Sequence, residues 1–296
     1  MIAGIFHNGS GLGNQLAQYI MTRVLAMDKG YEWGMMWPEN FKGNHLFRLD
    51  MGEPVIFPEE DKGYPYPEPE RIKEAITKNF VEQSELHPDG SDIRGYDWRI
   101  KDLEDNTIID GIFQGEDYFK HHLNKIRNWL EIEPREMADD LCVINIRGGE
   151  YRAFPHELLL PKTYWEHCIK KMQEINPRMR FEIRTDDPEY ARYLFPHFPI
   201  DNNLSEDWKK IRYAKYLILS NSSFSILPSS LNENLELCIA PKYHARYNVS
   251  DGYWALGQNI YSHMTYMDKE GRLSSAEECE IELNEYNKKN DYKKKV

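Results

Sequence analysis

Cysteine is scarce, and its spacing does not suit metal or redox chemistry. The 296 residues hold four, Cys142, Cys168, Cys238 and Cys279, and none forms a C-x-x-C pair. That argues against a zinc ribbon and a disulfide framework, and leaves free, buried thiols in a reducing compartment as the expectation. Long apolar runs are missing too. The opening "MIAGIFHNG" is expected to enter a strand directly, with no basic leader or anchor, so a cytoplasmic protein with no transmembrane segment is expected. Basic residues are outnumbered, 37 Lys and Arg against 49 Asp and Glu, for a formal charge of −12. A general nucleic-acid binder, which must neutralise phosphates, is therefore not expected. A small pocket needs only a few cations and stays open.

Several motifs are absent or incomplete. There is no G-x-x-x-x-G-K phosphate loop, and "HELLL" at His156 lacks the second histidine of a zinc protease. "GSGLGNQ" starts like a dinucleotide fingerprint at Gly9 and Gly11, but Asn14 stands where the third glycine is needed. His121 and His122 are adjacent, so on a helix they are expected to face different ways and make poor co-ligands. No metal site is expected, and no internal repeat is visible.

What is present reads as an α/β protein. At 296 residues it is long enough for two domains of ordinary size or one large one, and 13% aromatics with 29% charged residues suit a folded chain. Residues 2–30 read as strand, glycine-rich turn and helix, with Leu16, Tyr19, Ile20, Val24 and Met27 at helical spacing and Gly30 as the stop. "YEWGMMW" and "NTIIDGIF" are expected strands. Residues 71–81 are an expected helix, and so is "EDYFKHHLNKIRNWL" (116–130). Beyond the polar stretch around Pro134, strands ("LCVINI", "MRFEIRT", "KYLILS", "LELCIA") alternate with helices, which implies a parallel sheet with right-handed crossovers. The expected division is an acceptor-side α/β lobe at 1–135, a Rossmann-like lobe at 136–262 and a helical tail at 263–296.

In parallel sheets, ligands sit beyond the carboxyl ends of the strands. Three strands of the second half end in "NIRGGEY", "RTDDP" and "LSNSSFS". Arg147 offers a fork for phosphate or carboxylate, with Gly148 and Gly149 expected to keep space open beside it. Asp186 or Asp187 can accept from a base or sugar. Asn221, Ser222, Ser223 and Ser225 can offer hydroxyls and N–H groups at a helix start. Taken singly, each stretch also reads as a surface charge, a helix cap or a polar turn. Together they describe a pocket for a sugar nucleotide.

The stretches "GLGNQLAQYI", "GIFQGEDYF", "INIRGGEYR", "LPKTYWEHCIKKM", "RTDDPEYA" and "LILSNSSFSILPSSLNENLELCIAPKYH" occur in an order and spacing that resembles the α-1,2-fucosyltransferases, glycosyltransferase family eleven. The chain is also similar to the wider fucosyltransferase clan. The resemblance covers most of residues 4–246. It implies a two-lobed GT-B-like fold, GDP-fucose as donor, a glycan hydroxyl as acceptor, inversion at the anomeric carbon, and no cofactor or metal. By that resemblance Arg147 holds the β-phosphate, Asp186 reads guanine, and Asn221, Ser222 and Ser223 cradle the phosphates, with Asn145, Phe224 and Ser225 on the same donor side. Gly11, Gly13, Asn14 and Gln15 line the cleft from the first lobe. For the general base Glu150 is the choice, with His156 and Glu157 in reserve; for Glu150 a salt bridge to Arg152 is an equal alternative.

The chain departs from the family pattern at two places. His-x-Arg-Arg-Gly-Asp-Tyr is here Asn145-Ile146-Arg147-Gly148-Gly149-Glu150-Tyr151, and Ser-x-Phe-Ser-Trp-Trp is "SSFSILP". Arg152, Lys242 and Arg246 are candidates to replace the lost cation. Another nucleotide sugar, or a catalytically inactive glycan-binding relative, stands as the alternative. The oligomeric state is not encoded in any of these motifs.

Overall fold

The structure is a computed structural model, which describes residues 1–55, 78–82, 84–86, 92–94, 96–155, 158–242 and 260–290. The chain divides into two compact units, Met1–Glu85 with Arg94–Glu131, and Leu86–Ile93 with Ile132–Val296. The fold class is the expected one, mixed α/β with a parallel sheet in each unit.

In the first unit, β1 (Ile2–Ile5) is buried throughout and leads through the glycine turn into α1 (Leu12–Lys29). Gly30 ends the helix in the left-handed region at φ 71°, with its N–H on the last carbonyls. β2 (Trp33–Met36), β3 (Lys78–Val81) and β6 (Thr107–Asp110) complete a four-stranded parallel sheet in the order β2-β1-β6-β3. β4 (Ser84–Leu86) and β5 (Asp92–Arg94) are short strands outside the two main sheets. Leu16, Tyr19, Ile20 and Val24 of α1 are buried, as their spacing requires.

Two expectations fail in this unit. Residues 78–81 form a strand rather than the end of a helix, paired in parallel with Thr107–Asp110; residues 71–77 lie outside the described ones. The neighbouring strand supplies hydrogen bonds that a helical period read on four residues cannot foresee. Just beyond the strand, buried Glu82 accepts the N–H groups of Ile112 and Phe113 at 2.7 and 3.1 Å. The expected helix at 116–130 is instead two 3-10 turns, Glu116–Tyr118 and Lys120–His122, before α2 (Leu123–Trp129). Phe119 at φ −139° breaks the run, while the Tyr118 hydroxyl is pinned between Glu82 Oε1 (2.9 Å) and the Asp97 N–H (2.8 Å).

The second unit follows the sequence alternation closely. β7 (Leu141–Ile146), α3 (Lys162–Ile175), β8 (Arg180–Thr185), α4 (Pro188–Leu194), β9 (Ile200–Asp201), α5 (Leu204–Tyr213), β10 (Tyr216–Leu219), α6 (Ser223–Ser230) and β11 (Leu237–Pro241) come in order. The segment read as a helical tail first gives two strands, β12 (Thr265–Met267) and β13 (Leu273–Ser275), and then α7 (Ala276–Asn290). The sheet order is β13-β12-β11-β10-β7-β8-β9, parallel except for the β12–β13 pair. Val143, Leu217, Leu219 and Ala240 fill one core, and Ile144, Ile146, Ile183 and Trp165 another. All four cysteines are free and buried. Among the described residues no helix is long and apolar enough to cross a membrane.

Candidate functional site

In the second sheet β7 lies between β8 on one side and β10 on the other, so the winding direction reverses at β7 and β10. Side chains leaving the carboxyl ends of these strands meet at that switch point, the usual place for a ligand in such sheets. The two loops are in contact. The Ser220 N–H donates to the Asn145 carbonyl at 3.0 Å, and the Tyr151 hydroxyl donates to the Asn221 carbonyl at 3.4 Å.

Arg147 is the first residue past β7. One guanidinium nitrogen lies 2.7 Å from Asp186 Oδ2 and another 2.9 Å from Glu150 Oε1, with the Tyr151 ring 5.5 Å from its centre. The two carboxylates are held differently. Asp186 also accepts the Gly148 N–H at 2.9 Å, so both its oxygens are engaged, whereas the Glu150 side chain is 75% exposed. Arg152 pairs with Asp187 at 3.4 Å, not with Glu150, so the Glu150–Arg152 bridge offered as the alternative does not form.

The two glycines have a different purpose from the one read in the sequence. A Cβ on Gly148 would come 2.6 Å from the Asp187 Cβ, and one on Gly149, at φ +29°, would come 2.3 Å from Asp186 Oδ2. The space beside Arg147 is taken by the Asp186-Asp187 turn crossing from β8. Asp187 itself caps α4, accepting the Tyr190 N–H at 3.0 Å.

On the β10 side, Ser222 caps α6, its Oγ accepting the Phe224 N–H at 3.3 Å, and the buried Ser225 hydroxyl donates to the Ser222 carbonyl at 2.9 Å. Both hydroxyls thus brace the helix start. Ser223, the first residue of α6, and Asn221 are half-buried at its mouth; the Asn221 amide donates to the Leu158 carbonyl at 3.2 Å. Phe224 packs edge-on against Trp208. Asn145 is buried, with its amide on the Arg184 carbonyl at 3.3 Å. Of the candidate replacement cations, Lys242 pairs with Glu282 of α7 at 2.5 Å, and Arg246 lies outside the described residues, as do His156 and Glu157.

The first unit carries a second polar cluster at the carboxyl edge of its own sheet. Gln15 is buried, its amide donating to the Asn40 carbonyl at 2.8 Å and its Oε1 accepting the Lys42 N–H at 2.9 Å, which braces the loop after β2. Gln114 donates to Asn14 Oδ1 at 2.7 Å and so joins two of the stretches that carry the family resemblance. Gly13 is buried and Gly11 exposed ahead of the helix. Beside them sits a pair that the sequence does not single out. His7, two residues past β1, places Nε2 2.7 Å from Oδ1 of Asp110, the last residue of β6. That hydrogen bond raises the His7 pKa above its ordinary 6.5, against partial burial that lowers it. A partly exposed imidazole oriented by a carboxylate can take a proton from a hydroxyl. The partners are 103 residues apart, so only the parallel pairing of β1 with β6 brings them together.

No family model matches the chain, and no curated protein matches its sequence, so the fucosyltransferase resemblance rests on the motifs alone. Among solved structures the chain is similar to the beta Kdo 2,7 transferase KpsC of Thermosulfurimonas dismutans, at 15% identity and a TM-score of 0.29. That match covers 56% of this chain and 60% of that one. It is also similar to the heptosyltransferase WaaC of E. coli, solved with ADP, at 12% identity and a TM-score of 0.41 over 98% of each chain. Both likenesses are distant, and neither bears on which nucleotide or sugar this chain handles.

Proposed function

We propose that the chain is an inverting glycosyltransferase that moves a sugar from a nucleoside-diphosphate donor, GDP-fucose by its motif resemblance, to a hydroxyl of a glycan. The observation that carries this reading is Arg147 at the strand switch point of a Rossmann-like sheet, next to the start of α6. Displacing a diphosphate requires a group that bears the charge developing on it. Arg147 suits that role because Asp186 fixes one side of its guanidinium while the other ion-pair partner, Glu150, is exposed. An incoming phosphate can take the place of Glu150, since an exposed ion pair is worth little. Glu150 is then an exchangeable counter-ion rather than the base.

Calorimetric titration with GDP, UDP, ADP and CMP, with and without magnesium, tests the donor side. GDP is expected to bind without the metal, and Arg147→Ala to weaken it roughly ten- to hundred-fold, the worth of one or two charge-assisted hydrogen bonds. Preference for another nucleotide would keep the reaction class and change the donor. Failure of every nucleotide to bind, or an Arg147→Ala variant that binds as wild type, would overturn the reading in favour of a glycan-binding module.

A further inference from the structure

Elsewhere in the first unit, two consecutive histidines converge on one carboxylate. His122 Nε2 lies 2.5 Å from Asp28 Oδ1 and His121 Nε2 lies 3.1 Å from Asp28 Oδ2. The histidine rings are 4.3 Å apart between centroids, and the three ligand atoms lie within 4.8 Å of one another. This reverses the expectation that the two rings diverge. They belong to a 3-10 turn, Lys120–His122, rather than an α-helix, and both rings reach back to α1.

The carboxylate they meet is in a poor place for a lone negative charge. Asp28 sits in the last turn of α1, where the helix dipole is already negative and an added anion costs about 0.3–1 kcal/mol. The position therefore favours a cation. Nearby, the Lys125 ammonium rests on the Met27 sulfur at 3.0 Å. The other end of α1, with Asn14 and Gln15, is about 20 Å away along the helix axis, so this cluster is separate from the His7 edge.

We propose that Asp28, His121 and His122 form a binding site for a borderline divalent cation, Zn²⁺ in preference to Mg²⁺ or Ca²⁺, with both imidazole Nε2 atoms and one carboxylate oxygen as ligands. Two nitrogen donors and one oxygen suit zinc, whereas magnesium and calcium take oxygen ligands almost throughout. Water completes the coordination. The ion replaces the two hydrogen bonds to Asp28 and ties the end of α1 to the turn ahead of α2, segments 93 residues apart in sequence. Its role is to staple the first unit, and it is independent of the glycosyltransferase reading.

The test uses the full chain, freed of metal with a chelator and titrated with zinc chloride by calorimetry, and with cobalt chloride by visible absorption. Wild type is expected to take up one tightly bound ion, to show the visible bands of low-coordinate cobalt, and to melt at a higher temperature with zinc. His122→Ala and Asp28→Asn are expected to lower zinc affinity at least ten-fold and to lose most of the zinc-dependent rise in melting temperature. Asp28→Asn keeps the side-chain shape, so a loss of binding in a variant that still folds is not a folding defect. No zinc binding by wild type, or equal binding by wild type and both variants, would overturn the proposal.

Discussion

Replacing Gly148 with alanine asks what the glycine pair beside Arg147 is for. The added methyl would lie 2.6 Å from the Asp187 Cβ and 3.0 Å from its Oδ2, well inside van der Waals contact. Asp187 cannot retreat freely, because its other oxygen caps α4 through the Tyr190 N–H, an interaction worth about 1 kcal/mol. Overpacking of this kind costs about 1–3 kcal/mol. For a unit of this size each kcal/mol moves the melting temperature by about 2–4 °C, so a fall of roughly 2–12 °C is expected. Scanning calorimetry reads the shift. Asp187→Gly removes the clashing carbon at the cost of part of the cap, so in that background Gly148→Ala is expected to cost much less. A Gly148→Ala protein that melts like wild type but no longer binds GDP would refute the reasoning. It would mean that the glycine reserves room for a ligand and not for the crossing turn.

Two further expectations concern the proposed chemistry. Glu150→Gln removes a competitor for the Arg147 guanidinium, so GDP affinity is expected to rise by roughly 1.5- to 5-fold, the worth of an exposed ion pair; a collapse in turnover with unchanged GDP affinity would return the base role to Glu150. Asp110→Asn removes the carboxylate charge that favours the protonated His7 ring. Without that charge the imidazole gives up its proton more readily, so the His7 ring titration by NMR is expected to move to lower pH in this variant, and an unmoved titration would refute the pairing.

The sequence was most legible where local chemistry is unambiguous. Gly30, Pro161 and Asp187-Pro188 mark helix boundaries that the structure keeps, because a left-handed cap, a fixed φ and a capping carboxylate act on their own neighbours. The unbroken apolar strands of the second unit were legible for the same reason, since strands buried on both faces leave no other reading. What failed depended on partners far away in sequence. Lys78–Val81 is a strand because Thr107–Asp110 lies beside it. His121 and His122 point the same way because Asp28 draws them, and the His7 pKa is raised by a residue on β6. The glycines were seen, but what they make room for was not, because the Asp186-Asp187 turn reaches them only once β7 and β8 are paired.

That pairing also explains why Asp186 and Glu150, both in contact with the same arginine, are not equivalent. Asp186 leaves the sheet on the strand next to β7, in register with it to the last residue, and bonds to the backbone of Gly148 as well as to the guanidinium. Moving it would break two bonds and disturb a turn packed against both glycines. Glu150 is three residues along the same loop from Arg147 and has most of its side chain in water, so releasing it costs little more than one screened ion pair. Arg147 is therefore oriented before any anion arrives, and the orienting group is the one that would have to leave if Asp186 were also to read a guanine. One carboxylate cannot readily do both. Either the base is read by another residue, or donor binding dismantles the Asp186–Arg147 contact. Asp186→Asn separates the two. It keeps an acceptor for the Gly148 N–H but weakens the hold on Arg147, so loss of affinity for all four nucleotides alike means orientation, and loss of the preference for GDP alone means base recognition.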